Sequence, residues 1–341
     1  MRVSTFMIYD RTKQSFQGNF AKLYDIQQKM ASGLKINKPS DDTIGMQKVL
    51  DYKLTLNYNE QYRKNIDDAR SFLEATDSVM EAVTEDLQRI HELMIDASNG
   101  SRNAVDRQDI AQEIDIIKSS LYDLSNSKFR DRYLFSGFKT TQSSYASNAG
   151  GMYTYQGDAQ KINVDISLTG KVTENITGTE AFAFTLSGVQ SMRLDTGNFV
   201  HFISTPSSAL VSMVFSTASS PAVAGYDQVN FTNYIDMVKE VEIALNTNNI
   251  ERLQALQKCV AYAVDKTTTV RSTVGARLNY IQSTRLGNED TSQGVDQVRS
   301  NVEDADMAEV MSDMSKAEVA LQALRQTSSQ ILSQSLLDFI K

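Results

Sequence analysis

The stretch IDDARSFLEATDSVMEAVTEDLQRIHELMIDA, residues 66–97, decides the fold. Ile66, Ala69, Leu73, Thr76, Met80, Val83, Leu87, Ile90, Met94 and Ala97 recur at steps of three and four without a break. A helix sets all of them on one narrow seam. Asp67, Asp68, Arg70, Glu74, Glu81, Glu85 and Arg89 fall off that seam, towards water. At about 1.5 Å per residue the repeat makes a rod of roughly 48 Å, and such a rod cannot bury its seam alone. The rest of the chain must supply partner helices of matching length.

Two partners can be read. Upstream, Ser40 is placed to cap a helix starting near residue 43, with Asp41 and Asp42 complementing its positive end. That helix runs through Tyr52, Leu54, Tyr58 and Tyr62 into the seam and stops at Asn99-Gly100. After a short connection Asp106 is placed to cap a second helix, in which Ile110, Ile114, Ile117, Leu121 and Leu124 repeat the spacing in the antiparallel sense. The second partner lies far downstream. Helix resumes near residue 231 with Ile235, Val238, Val241 and Leu245, pauses at Asn246–Asn249, and continues through Leu253, Leu256, Val260, Ala263, Thr267, Val270, Val274, Leu278 and Ile281. Leu73, Met80, Val83, Leu87, Ile90, Leu121, Leu256, Val260 and Val270 are the expected rod core.

Between the rod segments the period changes from 3.6 to 2. Ile162, Val164, Ile166 and Leu168 alternate behind a Gln156-Gly157-Asp158 turn, and short strands are expected near Ala181–Leu186, Phe199–Ile203 and Leu210–Phe215. The tract around Pro206 and Pro221 reads as loop. Past Gly287 and Gly294 comes a polar passage, then Val295, Val298 and Val302, then a carboxylate-rich joint at Glu303–Asp306. The reading is a mainly α protein with a β-rich insert: residues 1–42 with 303–341 as a terminal part, 43–137 with 230–302 as a helical rod, and 138–229 as the insert.

The two ends carry weaker helices. Phe6, Phe16, Phe20, Leu23, Ile26 and Met30 face one way on the first, and Met314, Leu321, Leu324, Ile331, Leu332, Leu336 and Ile340 do so on the last. Ser328, Ser335 and many Gln residues interrupt these faces, so neither helix makes a stable core by itself. Either the two ends pair within one molecule or they order on packing against other copies.

Composition narrows the function classes. Of 341 residues, 41% are hydrophobic and 22% charged, ordinary values for a chain that buries a core. The net charge is -8, and no Lys/Arg run interleaves with aromatics, so no nucleic-acid partner is expected. One cysteine, Cys259, excludes an internal disulfide framework. No apolar run reaches the length of a signal sequence or a membrane span, so neither classical secretion nor membrane insertion is expected.

Catalytic patterns are missing as well. His91-Glu92-Leu93-Met94-Ile95 opens like a zinc-protease helix but has Ile95 where the second histidine belongs, and the only other histidine is His201. No dinucleotide fingerprint, phosphate loop or Gly-x-Ser-x-Gly elbow occurs. Cys259 adjoins Val260 on the second seam, the place of a packing residue. Asp304, Asp306 and Glu309 stand at a helix start, where carboxylates favour the dipole without a metal. Neither an enzyme nor a cofactor or metal site is expected.

Several separated motifs, in order, carry a family resemblance. Ser32–Asn37 followed by Ser40-Asp41-Asp42, Leu87–Leu93 ending in Ser98-Asn99-Gly100, and Val302–Glu309 resemble the bacterial flagellin superfamily over residues 1–137 and 230–341. Within it, Arg132–Gly137, the Tyr155-Gln156-Gly157-Asp158 turn and the ending Ser335–Lys341 are similar to the hook–filament junction branch rather than to filament flagellin. The resemblance implies a long antiparallel rod, N- and C-terminal helices paired as a coiled-coil domain, and a central β domain. It further implies an extracellular flagellar adaptor that assembles as a ring or helical oligomer between a preceding hook-associated junction protein and flagellin. Export through the flagellar type III apparatus and a cytosolic export chaperone are implied with it. Met7, Met30, Met307, Met311 and Met314 would supply adaptable packing near the ends. Filament-forming flagellin is the alternative. An adhesin or immune-receptor ligand is a further one, because Gln88, Arg89 and Leu93 match part of a receptor-recognised flagellin surface on which His91 replaces the usual Arg.

Overall fold

Seven helices are described along the chain: α1 (Arg2–Ser32), α2 (Thr43–Ala97), α3 (Ala104–Ser125), α4 (Gly178–Ala181), α5 (Tyr234–Asn246), α6 (Ile250–Glu303) and α7 (Met307–Ile340). The computed structural model describes residues 2–340 other than 149, 185–188, 195–196, 205–210 and 218–226. Within helices and strands it leaves out the side chains of residues 2–6, 8, 189, 204, 227 and 331–340. The chain forms two compact units, Tyr62–Leu286 and Met1–Gln61 with Gly287–Lys341. The architecture is the mainly helical one with a β-rich insert that the sequence predicts.

In the unit Tyr62–Leu286 the seam of α2 is fully used. Leu73, Met80, Val83, Leu87 and Ile90, with Leu121 of α3 and Leu256 and Val260 of α6, are inaccessible to solvent, and Val270 is nearly so. All belong to one continuous core. Each fully buried side chain of this size is worth about 1.5–3 kcal/mol of transfer free energy. Ion pairs rim the seam: Arg271 of α6 reaches Asp77 (3.1 Å) and Glu81 (3.1 Å) of α2, and Arg89 reaches Glu113 of α3 (2.7 Å). The bundle also has a fourth helix. α5 lies against α3, with Ile235, Val238, Val241 and Leu245 buried and Lys118 bridging to Glu242 (2.5 Å). The buried guanidinium of Arg107 closes the far end, donating to Ala97 O (2.8 Å) and Asn248 Oδ1 (2.6 Å).

Two expectations about helix ends change. Asp42, not Ser40, caps α2, its Oδ1 accepting from Gly45 N (2.9 Å). Asn103, not Asp106, caps α3: Asn103 Oδ1 accepts from Val105 and Asp106 N–H, and Asp106 reaches back to Asn103 N in a capping box. The polar passage after Ile281 is helical, α6 running unbroken through Gly275, Gly287 and Gly294. Single helical glycines cost only about 1 kcal/mol each.

The insert is a set of antiparallel hairpins. β1 (Lys128–Phe129) pairs with β2 (Arg132–Tyr133), β3 (Tyr145–Ser147) with β4 (Tyr153–Tyr155), and β5 (Asn163–Asp165) with β6 (Lys171–Thr173). β7 (Val189–Arg193), β8 (Phe199–Ser204), β9 (Val211–Ser216) and β10 (Asp227–Phe231) form a four-stranded meander. β5 ends before the predicted alternation does, because Ser167–Gly170 closes a turn with Gly170 N–H on Ser167 Oγ, leaving Leu168 86% exposed. Residues 181–184 are not a strand: α4 ends there and Ala183 makes a lone bridge to Asn233, while 185 and 186 fall outside the described residues. The predicted loop around Pro206 and Pro221, and Leu210, also fall outside them.

Two motifs quoted for the junction branch meet in this insert. Gly137, at φ +68°, lies so close to Asp158 that a Cβ would collide with it. Asp158 Oδ1 accepts from Phe138 N (2.9 Å), and Tyr155 Oη donates at 2.8 Å towards Phe135 O and Asp158 O. Around this joint Phe135, Tyr145, Phe182, Phe184 and Tyr234 pack edge to face, and Tyr155 lies tilted against Tyr145.

Candidate functional site

The unit Met1–Gln61 with Gly287–Lys341 is built differently, and its construction begins at two chain reversals. Gly33, at φ +71°, ends α1 with its N–H on Lys29 O (2.8 Å), as an αL glycine cap does. The chain then crosses the Glu303–Asp306 joint between α6 and α7. Lys35 N–H donates to Glu303 O (2.7 Å) and Ala305 N–H to Gly33 O (2.9 Å), with Leu34 and Asp304 as the bridging pair. Two motifs about 270 residues apart in sequence thus form one clasp.

Side chains lock the clasp. The Glu303 carboxylate is buried and accepts from Lys53 of α2 and Arg299 of α6 (3.0 Å), so this charge is paired twice. Asp41 Oδ2 accepts from Asn37 N (3.1 Å) and Lys38 N (2.9 Å). Those two amides, Lys38 first, hold the Asp41 carboxyl below its ordinary range. Asp306 Oδ1 caps α7 through Ala308 N (2.8 Å). Beneath the clasp Ile36 and Val49 are buried, and Asn59 Nδ2 donates to Ser292 Oγ between α2 and α6 (3.1 Å).

From the clasp, α1 and α7 pack along each other. They are antiparallel, because the end of α1 and the start of α7 are bonded together. The partly or fully covered positions include 12, 16, 19, 23, 26, 30 on α1 and 310, 314, 317, 321, 324, 328 on α7, alternating steps of four and three on both, with 25, 28, 29 and 313 partly covered beside them. That is a coiled-coil seam. It holds Phe16, Leu23, Ile26 and Met30 against Met314, Leu321 and Leu324, with Leu321 and Ser328 buried among the described side chains of α7. Phe20 stands outside it, half exposed. The side chains of Phe6, Ile331, Leu332, Leu336 and Ile340 lie outside the described residues.

No described residue of this unit belongs to the continuous core, which spans positions from Ile66 to Ile281. Large apolar side chains are instead exposed: Met7, Tyr9, Phe20 and Tyr24 on α1, Ile44, Leu50, Leu54 and Tyr58 on α2, and Met307, Met311 and Val319 on α7. Leu50, Leu54 and Tyr58 repeat every four residues and form a stripe. A helical pair that leaves so much apolar surface open is built to be covered.

Asp304 serves the clasp, Asp306 caps α7 with Glu309 in its first turn, and the other residues weighed for chemistry lie in the unit Tyr62–Leu286. Burial pushes the Cys259 thiol up, and its Sγ lies 3.9 Å from Met213 Sδ. Leu93 is buried, leaving Gln88 and the Glu113-bound Arg89 as the accessible part of the receptor-like surface. A recess of about 260 Å³ beside Phe72 and Phe129 is lined by charges already paired, Arg130 with Asp68 and Arg132 with Glu174. Among the described residues no group of three potential metal ligands comes together.

A model of the bacterial flagellin N-terminal helical region matches residues 3–140, and one of the bacterial flagellin C-terminal helical region matches residues 257–340. The chain belongs to the flagellin superfamily. Both matched regions of this flagellin-superfamily chain reach from the clasp into the rod. Flagellar hook-associated protein 3 of Escherichia coli K12 is 25% identical over 95% of this chain and 94% of its own length. Its Salmonella typhimurium counterpart is 25% identical over 98% of each. The crystal structure of flagellar hook-associated protein-3 from Legionella pneumophila superposes with a TM-score of 0.58, covering 74% of this chain and 98% of that one at 20% identity, and so shares the fold. Within the superfamily the chain groups with hook-associated protein 3, flagellins being more distant relatives.

Proposed function

We propose that this chain is a structural adaptor of the bacterial flagellum that joins the hook, through another hook-associated protein, to the flagellin filament. The observation that carries the reading is the contrast inside one chain: a core-filled rod, and a clasped terminal coiled coil whose large apolar side chains Met7, Phe20, Tyr24 and Met311 are exposed among the described residues. Near full-length similarity to hook-associated protein 3 supplies the setting, the extracellular flagellum. The work is mechanical and needs no catalytic group or cofactor. The terminal residues, Phe16, Phe20, Leu23, Ile26, Met30, Met314, Leu321 and Leu324 with Phe6, Ile331, Leu332, Leu336 and Ile340, form the assembling part of a ring or helical oligomer. The rod core from Leu73 to Val270 stiffens each subunit, and the β insert projects from it. Export by the flagellar type III route, with a cytosolic chaperone holding the C-terminal region, accounts for a helix pair that must stay uncovered until it reaches its place.

An insert-borne tag located by electron microscopy on intact flagella tests this. The tag should appear at one zone between hook and filament. Labelling along the whole filament, with long filaments grown from the purified chain alone, would identify a flagellin instead.

A further inference from the structure

The chain turns from α2 into α3 through residues 98–103, and this turn holds the one Asn–Gly step in the sequence, Asn99-Gly100. Every other asparagine precedes a residue with a side chain. Both residues of the step are exposed, and a Cβ added to Gly100 would meet no atom within 4 Å. Gly100 also lies outside the left-handed region, which Gly33, Gly137, Gly151 and Gly197 occupy. Neither the backbone nor the packing therefore requires a glycine at 100. What glycine gives there is an unshielded main-chain nitrogen. Among the described residues no acceptor takes the Gly100 N–H or the Asn99 Nδ2 amide. Asn99 Oδ1 instead accepts from Ser101 N (3.5 Å), two residues on, which folds the side chain back over the Gly100 peptide.

We infer that Asn99-Gly100 is a self-modification site, at which the folded chain turns its own asparagine into aspartate and isoaspartate with water as the only co-reactant. The Gly100 nitrogen gives up its proton to solvent and bonds to Asn99 Cγ, and the Cγ–Nδ2 bond breaks with release of ammonia. A cyclic imide closes between the two residues. Water then opens it: addition at Cγ leaves aspartate, and addition at the Asn99 carbonyl carbon leaves isoaspartate, whose main chain runs through Cγ. One water is consumed and one ammonia released, so neither an oxidant nor an enzyme is needed. The product falls beside the buried lock at this end of the rod. Asn99 O accepts from Arg102 N (3.1 Å) and from Arg107 Nη2 (3.5 Å), and Arg107 also holds Ala97 O and Asn248 Oδ1. In isoaspartate that oxygen belongs to a carboxylate, so the new charge lies against the Arg107 guanidinium. This charge-assisted pairing outweighs the unfavourable dipole at the end of α2, and the modified chain keeps its fold. Nothing in this chemistry depends on the adaptor reading.

The test incubates the full-length folded chain in mildly alkaline buffer and follows each asparagine by peptide mapping with mass spectrometry, isoaspartate being scored by enzymatic methylation. Asn99 should convert at least tenfold faster than every other asparagine, isoaspartate should outweigh aspartate, and the rate should rise with pH. Gly100→Ala, which the open space and backbone at 100 accommodate, should slow conversion at least tenfold. Asn99→Gln, whose side chain would close a larger ring, should slow it likewise. The modified fraction can be separated by anion exchange, through the charge it adds to a chain of net charge -8, and its circular dichroism should match that of fresh protein. Asn99 that converts no faster than the other asparagines, a Gly100→Ala rate equal to wild type, or aspartate without isoaspartate would overturn the site. Loss of helix in the modified fraction would overturn the Arg107 pairing.

Discussion

The unit Tyr62–Leu286 and the unit formed by the two chain ends are both long helices with three-four seams, yet only one has a core. In the first, four helices and an aromatic insert enclose the α2 seam, and side chains such as Leu87 and Val260 see no solvent. In the second, two helices face each other, so a seam is half covered and its flanks stay open. Three-four periodicity runs through both, weaker at the chain ends, and the number of partners differs as well. Stability in the first is intramolecular, while the second is held by a clasp and, on the function we propose, is completed by assembly.

The largest effect that can break this contrast is a truncation made in each unit. Leu87→Ala should cost about 3 kcal/mol, because it empties a fully enclosed site. Met314→Ala should cost under about 1 kcal/mol in the isolated chain, since a partly covered site loses less buried area than an enclosed one. Urea unfolding followed by hydrogen exchange in each helix measures both, and equal losses would erase the distinction between the units.

An intermediate effect is expected at the clasp. Glu303→Ala removes the carboxylate shared by Lys53 and Arg299 and should destabilise the terminal unit by on the order of 1–3 kcal/mol. Exchange protection in α1 and α7 should fall while α3 and α5 keep theirs. Unchanged protection in α1 would show that the coiled coil orders without the clasp.

The smallest effect is a pair of titrations with opposite signs. Burial, partly offset by the Ser120 hydroxyl (2.8 Å), holds the Asp86 carboxyl of the rod above its ordinary value, whereas backbone N–H donors hold Asp41 of the clasp below it. The folded rod therefore keeps the Asp86 proton to higher pH than the unfolded chain does. Its ionisation subtracts stability above that raised value, and the cost is relieved as pH falls towards 3.8. Asp41 adds stability above 3.8 that is lost as pH falls through its depressed value. Carboxyl NMR titration of the two residues checks the signs; shifts in the same direction would contradict the environments described.

Much of the rod was legible beforehand, since a periodicity sustained over thirty residues admits one helix face. The capping errors were local: Ser40, Asp41 and Asp42 are all competent caps, and the choice fell to Asp42 because Asp41 is spent on the turn amides of Asn37 and Lys38. The insert was the least legible, as strands of two to six residues leave too little alternation to detect. β7 and β10 are defined by their cross-strand neighbours more than by their own residues. The seam of the terminal helices was readable except at Phe20, which the structure leaves outside it.

By itself the sequence determined which faces of the long helices are apolar, because the 3.6-residue period is a property of one segment. It also carried, as scattered motifs, the resemblance to the flagellin superfamily. Only the tertiary structure decided that those motifs meet in pairs, Ser32–Asn37 on Glu303–Asp306 and Arg132–Gly137 on Tyr155–Asp158. Contacts across hundreds of residues are set by where the helices bring the chain back. A glycine packed on a carboxylate, or a backbone amide on a distant carbonyl, leaves no period to read.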